Sequence, residues 1–487
     1  MLSFIWNRLA SLVSTLLLVV ILLALYGGYR YASHHQSDND ERTANKLAYL
    51  ALLAQQPLKA QPPNLIFILY DDLGYGDIGY GTENNLIATP HLDRLAANGV
   101  TLSDFHSPAP VCTPSRAGYL TGRLPLRAGL PNVVFPSSDN WKGAVARVLN
   151  PEGNVRLPAE EITLADILGA VGYQTGMVGK WHMGDVSPSL PNDMGFGYYY
   201  GALYSNDMTP FAHYRNQDIA VPAPVDQRYM SEMYTREAVN FIETHKESPF
   251  FLYFAHNFPH DPLFVREERA GGSGAGLFGD VMEEIDSGIG ELVASLERNE
   301  VLDNTLIIIS SDNGPWYLGN AGDLRGRKGN TFEGGMRVPF IAHWPAAIAP
   351  GRVEHAMSMG IDLVPTMLDI LGLPAPQDRA LDGRSIFELL TRGGESPHDY
   401  LYYFDATRLF AVRSERFKYR GPAGVFYGTD QMPSTFSVPQ KEWLFDLDGD
   451  VRESYDTSLR HPDELTRLRS VFEEKRQEMK TDLRGWR

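Results

Sequence analysis

Five apolar runs limit the folds open to this chain more than any other feature. They are "NLIFILYDD" (64–72), "YQTGMVGK" (173–180), "PFFLYFAH" (249–256), "TLIIISSDN" (305–313) and "RVPFIAHW" (337–344). Each has the length of a strand and lies among Pro, Gly or Asx residues, which reads as a buried strand. Helical patterns separate several of them, at 90–99, 163–172, 234–245 and 278–299. Strands alternating with helices predict an α/β fold, a large and mostly parallel sheet flanked by helices.

Around 374–400, "PAPQDRALDGRS" and "TRGGESPHD" are rich in turn formers, so the main unit, 62–390, is expected to end there. The alternating stretch 400–421, the strand-and-turn pattern at 442–450 and the helical pattern at 462–486 predict a smaller C-terminal subdomain over 391–487. It should hold an antiparallel sheet plus a helix. Residues 32–61 read as a polar linker and a short helix.

In open α/β sheets, ligands bind beyond the carboxyl ends of the strands. Asp71 and Asp72 end the first run, Lys180 and His182 the second, and Asp312 and Asn313 the fourth. Adjacent carboxylates are costly to hold together unless a cation lies between them; a solvated Asx turn is the plainer reading. Asp71, Asp72, Asp312 and Asn313 form a hard oxygen set, suited to calcium or magnesium rather than zinc. Lys180 and His182 join a cation to a proton-transfer group, which suits a reaction of anions. "FAHNFPHDP" adds His256 and His260, and "LRGRKGNTFEGGMRVP" adds Arg325, Arg327, Lys328 and Arg337. A structural histidine and a solvated basic loop are their plainer readings.

The single cysteine, Cys112, lies in "APVCTPSRAGYLTGR" (109–123). One cysteine allows no intramolecular disulfide. A helix starting here would turn free N–H groups toward an anion and lower the thiol pKa. The residues alone leave a reactive cysteine and a buried inert one equally open.

"CTPSRAGYLTGR" resembles the signature of the sulfatase family, Cys-x-Pro-Ser-Arg followed by Leu-Thr-Gly-Arg, and the likeness runs from about residue 62 to about 455. It implies an alkaline-phosphatase-like fold and a formylglycine-dependent hydrolase of aryl or sugar sulfates, in the branch of arylsulfatases and galactosamine-6-sulfatases. By the same resemblance, a maturation enzyme converts Cys112 to formylglycine, whose hydrate attacks sulfur. Asp71, Asp72, Asp312 and Asn313, with position 112, would hold one divalent cation, usually Ca2+ in this family, with Mg2+ as the alternative. Arg116 would hold the hydrate, and Lys180 and Lys328 the sulfate. Asp312 would serve as base, His260 as acid toward the leaving oxygen, and His182 as a proton acceptor when sulfate departs. "FPHDP" matches the family's proline-histidine segment, which favours His260 over His256. Asn206 and Asp207 would stand at the substrate rim. The competing classes are a phosphate ester hydrolase of the same superfamily and an anchored binding protein without activity.

Lys+Arg 43 against Asp+Glu 60 gives a net charge of −17, which argues against a nucleic-acid partner. Leu9 to Tyr29 carries no charged residue and is long enough to cross a bilayer. Residues 1–31 are expected to be an uncleaved membrane anchor, with a cleaved signal peptide as the rival. Both point to an extracytoplasmic protein, at the inner membrane of a bacterial periplasm or secreted into it.

Overall fold

A computed structural model describes residues 2–33, 38–79, 86–137, 148, 155–422 and 441–487, so positions 34–37 of the expected linker lie outside the described residues. The helices are α1 (Leu2–Ser33), α2 (Asp40–Leu53), α3 (Pro90–Ala97), α4 (Cys112–Thr121), α5 (Leu164–Ala170), α6 (Met230–His245), α7 (Gly276–Arg298), α8 (Glu333–Met336), α9 (Leu363–Leu371), α10 (Phe387–Arg392) and α11 (Pro462–Thr481). The strands are β1 (Asn64–Tyr70), β2 (Val100–Leu102), β3 (Phe105–His106), β4 (Gln174–Gly179), β5 (Tyr198–Gly201), β6 (His213–Arg215), β7 (Asp218–Val221), β8 (Phe250–Ala255), β9 (Thr305–Ser311), β10 (Phe340–His343), β11 (Arg352–Glu354), β12 (Ser358–Met359), β13 (Leu401–Asp405), β14 (Arg408–Arg413), β15 (Phe417–Arg420) and β16 (Trp443–Asp446).

Ten strands form the main sheet, in the order β11-β2-β10-β9-β1-β8-β4-β5-β6-β7. β1 lies parallel to both β8 and β9, and β4 parallel to β8 and β5. The alternate residues of β1 explain its unbroken apolar run. Leu65, Phe67 and Leu69 enter one core, with residues of α4, α5 and α9. Ile66, Ile68 and Tyr70 enter the other, with residues of α3, α6 and α7. Both faces are covered, so neither tolerates a polar residue.

The sheet is mixed rather than uniformly parallel. The run at 337–344 yields β10, which pairs antiparallel with β9. A parallel return needs a crossover that traverses the sheet face. Between β9 and β10 the chain forms only the four-residue α8, and it doubles back. β6 and β7 extend the far edge, again antiparallel.

A second sheet, β13-β14-β15-β16, is antiparallel throughout. Leu468, Phe472 and Met479 of α11 pack on it in a core shared with Leu124, Leu126 and Met336 of the main unit. The terminal helix ends at Thr481 rather than reaching 486. Beyond it Trp486 is ringed by four guanidinium groups, those of Arg42, Arg123, Arg379 and Arg484, at 5.2, 4.8, 5.0 and 4.9 Å from the ring centroid. Arg123 follows α4 directly, so the end of the chain bears on the helix that begins at Cys112.

At the other end, Ser11–Tyr29 of α1 is long and apolar enough to cross a membrane, and none of it is buried. An apolar helix left uncovered by its own protein fits a signal or anchor segment.

Candidate active site

The strand ends bring the expected polar residues together. Asp71 and Asp72 follow β1, Lys180 and His182 follow β4, His260 follows β8, and Asp312 and Asn313 follow β9. Gly179 lets β4 deliver Lys180. A Cβ on it would lie 1.9 Å from the Ala255 carbonyl oxygen, and its φ is +113°. Two non-glycine residues of the site, Asp72 (φ +68°) and His182 (φ +60°), also hold left-handed backbone. Such conformations cost energy and persist where surrounding structure enforces them.

Helix α4 starts at Cys112, and no side chain caps its first turn. Its free amide groups are thus left for another acceptor. Gly122 ends the helix at φ +68° and donates to the Gly118 carbonyl. Cys112 Sγ lies 3.2 Å from Asp71 Oδ1. Arg116, one turn on, is fully buried. Its Nε donates to Asp312 Oδ2 at 2.9 Å and its NH1 to the Lys180 carbonyl at 2.7 Å. Asp72 N–H donates to Asp312 Oδ1 at 3.3 Å.

Lys180 Nζ pairs with Asp71 and donates to Ser205 Oγ at 3.2 Å. Lys328 Nζ lies 2.7 Å from Asp72 Oδ1 and 2.9 Å from Oδ2. His260 Nε2 lies 3.8 Å from Asp72 Oδ2, and Ser205 Oγ is 3.4 Å from the same nitrogen. The side chains of Lys328 and His260 are each 14% exposed, whereas those of Asp71, Lys180, Arg116 and Asp312 have no exposed surface. The site therefore opens to solvent beside Lys328 and His260. Asp71, Asp72, Cys112 and His260 offer atoms within 4.8 Å of one another. Asn313 Nδ2 donates to Asp72 Oδ1 at 2.7 Å, while its buried Oδ1 makes no hydrogen bond. A buried orphan carbonyl oxygen beside two buried carboxylates suits a hard cation.

Electrostatics divide the carboxylates. Burial works to raise Asp71, but Lys180, His260, Arg116 and Lys328 outweigh it and hold Asp71 well below the usual carboxylate range. Burial and the neighbouring Asp71 push Asp312 the other way, to about 7, against Arg116 and Lys180. Burial, then Lys180 and Arg116, keep His182 neutral far below its ordinary value. Burial opposes the charge of Lys328, yet Asp72 and its anionic neighbours hold it firmly protonated.

The thiol contradicts the expectation from the helix end. Burial, with Asp312 and Asp71 beside it, raises the Cys112 pKa well above the ordinary thiol value. A helix terminus is a small charge next to two carboxylates, so unmodified Cys112 stays a thiol and a poor nucleophile.

Other expected residues separate. His256 is buried behind the site, with Nδ1 accepting from Phe258 N–H at 2.9 Å. Asn206 is buried and donates to the Pro262 carbonyl at 2.8 Å and to Gln227 Oε1 at 3.0 Å, bracing the loop that carries His260. Asp207 next to it is exposed. Arg325 and Arg337 turn away, to the Glu453 and Ser103 carbonyls. Ser205 was not anticipated. Its hydroxyl joins Lys180 to His260, and its only signal was its place beside Asn206 in "YSND".

Comparison with known proteins agrees with this geometry. The sulfatase family profile matches residues 63–373. A second profile, N-sulphoglucosamine sulphohydrolase, C-terminal, matches 327–422. Arylsulfatase A of Homo sapiens is 36% identical over 455 residues, covering 83% of this chain and 85% of that protein. N-acetylgalactosamine-6-sulfatase of Mus musculus is 34% identical over 395 residues, covering 76% and 74%. Among solved structures, the PsFucS1 sulfatase from Pseudoalteromonas sp. superposes with a TM-score of 0.76 at 27% identity, covering 91% of this chain and 95% of that one. With its signature cysteine at the head of α4 and the strand-end carboxylates around it, the chain belongs to the sulfatase family, a family of sulfuric ester hydrolases.

Proposed function

We propose that this protein hydrolyses aryl or sugar sulfate esters to the alcohol and inorganic sulfate, after Cys112 has been matured to formylglycine. The observation that carries the reading is the convergence on position 112 of three buried or half-buried cations, Arg116, Lys180 and Lys328, with Asp71, Asp72 and Asp312. Asp71, Asp72, Asp312 and Asn313 are the residues to hold one divalent cation, calcium before magnesium. When bound, that cation supplies charge for the sulfate oxygens, and the aldehyde hydrate supplies the attacking hydroxyl.

The chain's own residues do the rest. Lys328 and Lys180 bind sulfate oxygens, exchanging part of their hold on Asp72 and Asp71 for the substrate. Arg116 fixes the orientation of Asp312, whose Oδ1 also accepts from Asp72 N–H, and Asp312 serves as the base toward the hydroxyl at position 112. His260, at the open side, donates a proton to the leaving oxygen. His182 is neutral and can accept one when sulfate leaves. The name of the galactosamine-6-sulfatase relatives favours a sulfated sugar of a glycan as the natural substrate. The protein acts outside the cytoplasm, in a periplasm, held at the membrane by α1.

Matched turnover of an aryl sulfate and an aryl phosphate tests the activity, and peptide mass spectrometry of residues 109–123 tests the maturation. Sulfate preference and an aldehyde at position 112 are expected. Clear preference for phosphate, or an unmodified thiol in fully active enzyme, would overturn the proposal.

A further inference from the structure

Lys328 stands on a loop whose two ends are gripped by one residue of the C-terminal part. Before Lys328, Arg325 NH1 donates to the Glu453 carbonyl at 2.6 Å. After it, the Glu333 N–H donates to Glu453 Oε2, also at 2.6 Å. Glu453 itself is fully buried and holds φ +51°, a costly backbone for a residue with a Cβ. Lys418 of β15 joins Glu453 Oε1 at 3.1 Å to Glu333 Oε1 at 3.0 Å, and none of the three side chains is exposed. Arg420 donates to the Thr331 carbonyl at 3.0 Å and sits 3.9 Å from the Phe332 ring centroid.

The tip of the loop is tied on the opposite side. Lys328 N–H donates to the Pro315 carbonyl at 3.0 Å, and Gly329 N–H to the Pro110 carbonyl at 2.8 Å. Pro110 lies two residues before Cys112. A buried ion cluster of this kind contributes little net stability, because desolvation offsets the attraction. It does impose a single geometry. Here that geometry sets where the Lys328 ammonium stands relative to Asp72 and position 112.

We propose that Glu453, supported by Lys418, is a positioning residue for Lys328, so that the C-terminal sheet sets the sulfate-binding geometry without touching substrate. The proposal rests on the reading of Lys328 as a sulfate-binding lysine. It is tested with Glu453→Ala, Glu453→Gln and Arg325→Met, each alone and combined with Lys328→Ala, by kcat/KM for an aryl sulfate and by melting temperature. Glu453→Ala and Arg325→Met are expected to lower kcat/KM by up to about 100-fold, the scale of a small misplacement. Glu453→Gln keeps an acceptor for the Glu333 N–H and should stay near wild type. In the Lys328→Ala background, all three should cost nothing further. Arg325→Met carries the test alone if Glu453→Ala does not fold. Losses that multiply with that of Lys328→Ala would overturn the positioning role while leaving the role of Lys328 intact. No loss in Lys328→Ala itself would overturn both.

Discussion

His213 makes acid stability a sharp test of the fold around the site. It is fully buried on β6, between the rings of Tyr200, Phe211 and Tyr234 at 5.6, 5.6 and 5.1 Å. Its Nε2 meets the Tyr234 hydroxyl at 3.3 Å, and its Nδ1 has no hydrogen-bond partner. Burial lowers its pKa to about 4. The folded state thus binds fewer protons than the unfolded state, where the value is near 6.5, so stability falls as the pH drops below that value. Each pH unit in that window costs about 1.4 kcal/mol, giving about 2 kcal/mol at pH 5 and levelling at about 3.4 kcal/mol below pH 4. Buried carboxylates with raised values, such as Asp77 at about 7, act in the opposite direction. They cancel when wild type is compared with His213→Gln, which keeps a polar group but does not titrate. The first unfolding transition in urea, at pH 7.5 and pH 5, is the assay. The variant should be less stable at pH 7.5, and the gap should narrow by about 2 kcal/mol at pH 5. An unchanged gap would show that His213 is not held neutral, and the burial argument would fail with it.

Gly179→Ala places a Cβ against the Ala255 carbonyl at a left-handed φ and should cost at least about 3 kcal/mol, read as lost soluble yield and a lower melting temperature. A wild-type melting curve would refute the close approach of β4 and β8. Chelation should lower turnover and melting temperature together, with calcium restoring both better than magnesium; full turnover after exhaustive chelation would remove the cation from the proposal. A chain starting at residue 38 should be soluble with unchanged turnover, while the full chain follows the membrane fraction. A full-length chain in the soluble fraction would exclude the anchor.

The buried strands were legible because two covered faces demand an unbroken apolar run, as in β1 and β9. The candidate site was legible for a related reason. Its polar residues stand where such runs stop, so Asp71, Lys180 and Asp312 are each marked by their neighbours along the chain. Strand direction was not encoded in that way, since an apolar run reads alike in both senses and only the short α8 connection turns β10 back. The protonation of Cys112 also depends on distant partners. Burial raises the thiol pKa first, then Asp312 and Asp71, which reach it from the ends of β9 and β1, and together these outweigh the local helix end. Glu453 and Lys418 were invisible for the same reason. Along the sequence they are ordinary charged residues, and only the packing of two sheets buries them against Glu333.

The ring of arginines about Trp486 bears on the order of events in the life of this chain. Cys112 is 2% exposed in the folded protein, so the proposed maturation enzyme would have to meet it before α4 docks. The far end of α4 is secured through Arg123, which donates to the Arg484 carbonyl at 2.5 Å and lies over the Trp486 ring. Arg484 stands 361 residues further along the chain than Arg123. A chain made from its N-terminus therefore leaves the cysteine-bearing helix unlatched until that distant segment has been made, and residues 484–486 act as a clasp on the helix that would close after the proposed maturation.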